Sequence, residues 1–161
     1  MLLFLETLGL CLLFWLLCYL GTGTDKKNVK SYRSYPVKVQ EMLKENEKLK
    51  GLIREASPIR VFASNVVLFS VIFFLAGLPL RRQELLGNFL NILIMGQVLN
   101  AFDYFIMDLL WFRHTRRTRF QGTEDDDALY HDPGHHLKAF LRGIPAFLTV
   151  AVIDGLVLTL I

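Results

Sequence analysis

Only two cysteines occur in the chain, Cys11 and Cys18. At ~1.5 Å rise per residue, a straight helix holds them about 10 Å apart along its axis. A disulfide needs Cα atoms within about 7 Å, so one straight helix cannot close this pair. Both cysteines are expected to pack as small apolar side chains. No cysteine pair stands at zinc-ligand spacing, which argues against a zinc centre. Strand-type alternation, internal repeats and low-complexity tracts are missing too. So are a GxSxG elbow, an HExxH helix, a P-loop and a DGxxAR-like phosphotransfer motif, so no standard catalytic signature is present.

Apolar residues are abundant, and they come in blocks. They make up 53% of the 161 residues, with 13 Phe, and the charges collect between them. That segregation is a membrane pattern. The apolar runs are 2–21, 59–80, 85–111 and 139–161, each at least the ~20 residues a spanning helix needs. The first run has Glu6 near its start and Lys26 and Lys27 after Thr22-Gly23-Thr24. This reads as an uncleaved span rather than a signal peptide. The expected fold is all-α: one membrane domain of four transmembrane helices, with an amphipathic helix in the first connection. Residues 21–58 carry nine Lys and Arg, 81–84 carry two, and 113–142 carry six. The bias makes connections 22–58 and 112–138 cytoplasmic and puts both termini outside, with Arg81 and Arg82 discordant.

In the first connection Pro36 can open a helix over VKVQEMLKENEKLKGLIREA. Val39, Met42, Asn46, Leu49 and Ile53 alternate by three and four, an a/d stripe too short to stand as a coiled coil. It predicts an amphipathic helix on the membrane surface or on the other helices. A dimerisation helix or a docking surface for a partner is the sharper alternative.

The third span carries Asn88, Asn91, Gln97, Asn100, Asp103 and Asp108. At α-helical periodicity Gln97, Asn100, Asp103 and Asp108 fall within an arc of about 140°. Each ionised group near a bilayer centre costs at least ~2.5 kcal/mol, so this face is expected to meet other helices or a wet cavity. Interhelical hydrogen bonding explains it. So does a proton or cation pathway that also uses Glu6 and Asp154. Four helices have little interior for six polar positions, which predicts a homo-oligomer or another membrane subunit.

Below that span lie Arg113, His114, Arg116, Arg117 and Arg119. Each arginine near an anionic surface is worth ~1 kcal/mol, so they are expected to anchor the topology. A bound phosphate, from a lipid headgroup or a phosphorylated substrate, is the sharper reading. Thr123 reads as the N-cap of a helix whose first turn holds Glu124 to Asp127, with Asp126 a partial capping-box match. His131, His135 and His136 follow, but Pro133 and Gly134 break the i,i+4 geometry of a helical metal pair. No metal and no cofactor is expected.

The run DLLWFRHTRRTRFQGTEDDDALYHDP resembles a signature of a family of small integral membrane proteins from bacteria, mostly Gram-positive. The matching positions are Asp108, Trp111, Thr115, Gly122, Thr123, Glu124, Asp125, Tyr130 and Pro133, about a sixth of the chain. Phe120-Gln121 departs from the Ile-Pro that often precedes the glycine. The resemblance implies a bacterial cytoplasmic (inner) membrane and supplies no activity.

Three functions stay open. The first is a binding or accessory subunit whose basic loop contacts anionic lipid headgroups or a partner. The second is a membrane-embedded enzyme on a phosphorylated lipid-linked substrate, using Asp103, Asp108 and His114. A straight helix would hold Asp103 and His114 ~16 Å apart, which weakens that dyad. The third is the proton or cation pathway. Membrane lipids and a membrane subunit are the expected partners, and nucleic acid is not.

Overall fold

A computed structural model describes all 161 residues, and every regular element in it is helical. Helix α1 is Leu2–Gly21 and α2 is Val37–Glu45. Helix α3 is Pro58–Gly77, extended to Leu80 by a 3₁₀ turn. Helix α4 is Leu85–Phe112, and α5 is Pro133–Leu160. Four helices are thus long and apolar enough to cross a membrane: α1, α3, α4 and α5. Their boundaries follow local chemistry. Ser57 accepts the Arg60 N–H and Pro58 takes the first helical position, so α3 starts there. Helix α5 begins six residues before the apolar run, because Asp132 caps the His135 N–H at 3.0 Å and Pro133 opens the helix.

The chain divides into two compact units. The first comprises residues 1–12, 56–102 and 140–161. Its core is built from Phe73, Ile92, Met95, Phe147, Val150, Ala151 and Leu158. Phe69 and Phe73 pack against Phe147 with ring centroids 4.9 and 5.7 Å away. Helices α3 and α4 form a tight hairpin across the short polar segment 81–84, closed by Asn88. Its Oδ1 accepts the Arg82 N–H at 2.7 Å, and its Nδ2 donates to the Arg82 carbonyl and Thr159 Oγ1, both at 2.9 Å. Asn91 donates to the Leu80 carbonyl.

The second unit comprises residues 13–55 and 103–139. The two polar connections fold here on a core of Val29, Tyr32, Tyr35, Val39, Leu43, Leu49, Phe112, Phe120 and Tyr130. Helix α2 is shorter than its a/d stripe predicts. It stops at Glu45 because the Asn46 side chain turns back to accept the Lys48 N–H at 3.0 Å, a local bond that competes with the helix. Val39 and Leu43 then face this core, with Met42 and Ile53 packed at its edge.

A second correction concerns Thr123. The four-residue helix is Asp127–Tyr130, capped by the Asp126 carboxylate on the Leu129 N–H. The Thr123 hydroxyl instead donates to the Phe120 carbonyl at 2.8 Å. A third concerns α4. It is α-helical to Phe102, then runs from Asp103 to Phe112 with i→i+5 hydrogen bonding.

Candidate functional site

The change in α4 decides which polar groups gather. In an α-helix residues four apart stack on one face. With i→i+5 bonding the turn widens to about 4.4 residues, so residues five apart, about 140° from one another in an α-helix, come within roughly 50°. Asp103 and Asp108 are five apart, so the widened segment places both carboxylates on one face. Gln97 and Asn100, in the first unit, donate to the Ile144 and Phe140 carbonyls of α5 at 3.2 and 3.1 Å. Those amides are satisfied as helix–helix bonds.

In the second unit, Asp108 Oδ2 lies 3.1 Å from His136 Nδ1. His136 is 4% exposed, and its ring is edge-on to Phe112 at 5.3 Å. His135 stands perpendicular to it, with centroids 5.7 Å apart. Asp103 is within electrostatic reach of Asp108 and His136, and Cys18 is within reach of both carboxylates. His136 is the member missed at this position. Its spacing from Asp108 carries no local motif, and only the fold of residues 113–135 brings them together.

The basic loop leads a second group, around two adjoining recesses of about 290 and 250 Å³. Arg113, His114, Arg119 and Asp127 line both. Tyr130 and His131 complete one; Arg116, Glu124 and Asp125 complete the other. The arginines are not equivalent. Arg119 is 7% exposed and donates to the carbonyls of Asp126 and Arg113 and to Asp127 Oδ1. Its guanidinium also lies over the Tyr130 ring. Arg117 donates to the Tyr19 carbonyl and stacks over the Tyr19 ring at 3.9 Å. It also fits against Gly23, whose φ of 105° disfavours any side chain and where a Cβ would sit 2.8 Å from Arg117 Cζ. Arg116 pairs with Asp125 at 2.6 Å in solvent, where such a pair adds little. Arg113 is exposed and makes no ion pair. His114 Nδ1 lies 2.7 Å from the Leu110 carbonyl, which only accepts, so that nitrogen carries the proton.

The signature positions act together in folding this loop. Thr115 Oγ1 accepts the Arg117 N–H. Gly122 holds φ at 85° and gives its N–H to Glu124. Tyr130 accepts the Phe120 N–H at 2.9 Å. Since the Thr123 hydrogen goes to Phe120, the Tyr130 hydroxyl donates to Thr123 at 2.6 Å. Pro133 opens α5, while Trp111 and Asp108 lie in the widened part of α4. Asn28, which was not singled out in the sequence, joins the two connections by donating to the Arg117 and Arg119 carbonyls. No hydrogen bond or ion pair joins Asp103 to His114. The chain matches no family model, no curated protein and no solved structure.

Proposed function

We propose that the chain is a binding or accessory subunit of a membrane, with its polar unit on the cytoplasmic side and a phosphate-bearing lipid headgroup as its ligand. The observation that carries this reading is the recess at the end of α4. Arg117 and Arg119 are committed to the fold, which leaves Arg113 and the outer nitrogen of His114 to meet a ligand. A guanidinium is suited to phosphate oxygens, and the outer nitrogen of His114 donates to them when the ring is protonated. Asp125, Asp127 and Glu124 on the same walls favour a headgroup that also carries a cationic end. The nine and six basic residues of the two connections support the cytoplasmic placement, as the loop signature supports a bacterial inner membrane.

Native mass spectrometry of the protein released from mild detergent tests this. Retained phospholipid is expected in the parent protein, and Arg113→Gln with His114→Gln should lower its occupancy several-fold. Equal retention by the double variant would remove the recess as the binding site. A protein that carries no lipid and no partner in either form would overturn the reading.

A further inference from the structure

We infer that Asp103, Asp108 and His136 form one proton-binding site in the chain, with two carboxylates and an imidazole sharing their protons as a single unit. Three observations support this independently of the headgroup reading. The first is the backbone. Runs of i→i+5 bonding are rare and usually a single turn, yet here the pattern persists over ten residues. Its consequence is to set Asp103 and Asp108 on one face. The second is the contact. Asp108 Oδ2 and His136 Nδ1 are 3.1 Å apart, close enough for a proton to pass directly. As it crosses from oxygen to nitrogen, one O–H bond breaks and one N–H bond forms. A neutral pair becomes an ion pair, and no other reactant is needed.

The third observation is the surroundings. His136 is buried under Phe112, so water screens this pair poorly and each charge strongly affects the next. The titratable groups that bear on the site are Cys18 from α1, Asp103 and Asp108 from α4, and His135 and His136 from α5. Groups coupled this closely take up protons in steps that belong to the cluster. Asn88, Asn91, Gln97 and Asn100 bond to fixed backbone carbonyls, whereas here both partners change charge. That difference separates an exchangeable site from helix–helix bonding.

The test is nuclear magnetic resonance of the full chain in phospholipid vesicles, with ¹³C in aspartate carboxyls and ¹⁵N in histidine rings, titrated between about pH 4 and 9. The Asp103, Asp108 and His136 signals are expected to move through common midpoints. His136→Gln should shift the carboxyl midpoints by at least one pH unit, a tenfold change in proton affinity. Separate, independent midpoints would overturn the inference, as would three signals that stay still across the range. Because the unsubstituted protein gives the decisive reading, a variant that fails to fold does not blunt the test. A lipid-free protein with common midpoints would sink the headgroup reading and leave this one standing; the reverse result would do the opposite.

Discussion

Tyr35 packs against Phe112, Phe120 and Tyr130 and donates its hydroxyl to the Thr118 carbonyl at 2.8 Å. Tyr35→Phe keeps the ring and removes the bond, so it should cost about 1 kcal/mol, measured by denaturant unfolding in detergent. Burial, and then the nearby Tyr130 and Asp25, pushes this phenol well above its usual range. Its contribution is complete below the unfolded value of about 10 and is lost as pH rises from there toward the folded value. Wild type should therefore destabilise more steeply than Tyr35→Phe above about pH 10; parallel curves would sink this assignment. Arg119 makes a different prediction. Its planar fork reaches two carbonyls and one carboxylate at once, which a lysine cannot copy. Arg119→Lys should cost roughly 1–3 kcal/mol and speed amide exchange over residues 113–130. Arg116→Lys, at an exposed pair, should leave both nearly unchanged. The sequence placed all the arginines in one basic loop but could not rank them. Their rank depends on Tyr19, Tyr130 and Asp127, which only the folded loop brings near.

Asn88 is the main side-chain tie of the hairpin between α3 and α4. Asn88 satisfies both backbone groups of Arg82 and reaches Thr159 on α5. Asn88→Ala leaves those groups without their partner in a part-buried turn and should cost about 1 kcal/mol, read as a lower melting temperature. Asn91→Ala, which loses one bond to the Leu80 carbonyl, should cost less. At this scale the spans were legible, because a bilayer demands long apolar runs and those survive any packing. The hairpin was legible too, since four polar residues leave no room for another path. Three features were not. The end of α2 depends on where the Asn46 side chain turns. The cap at Asp126 depends on Thr123 being drawn to Phe120. The widened end of α4 defeats any reading that assumes one periodicity throughout. That last case matters most, since an α-helix holds Asp103 and Asp108 about 140° apart around its axis and the wider turn brings them within roughly 50°.

For the whole molecule the question is which surfaces meet lipid, water or another subunit. Large apolar side chains remain exposed along α1, α3, α4 and α5, Phe4, Leu68, Leu90 and Leu148 among them, as a lipid-facing surface requires. Asn88, Asn91, Gln97, Asn100 and Asp108 all find partners within the chain. Orientation is the remaining property, and the charge bias puts a definite prediction on it. Lys48 and Gln83 are both exposed, in the first and second connections respectively. Single cysteines there, Lys48→Cys and Gln83→Cys, can be placed in a chain whose Cys11 and Cys18 are replaced by Ala. A membrane-impermeant maleimide should label position 83 in intact cells and position 48 only after the membrane is opened. Arg81 and Arg82 sit beside position 83 and pull against the bias. Labelling of 48 in intact cells, with 83 protected, would mean that these two outweigh the nine and six, and it would move the Arg113 recess to the outer surface.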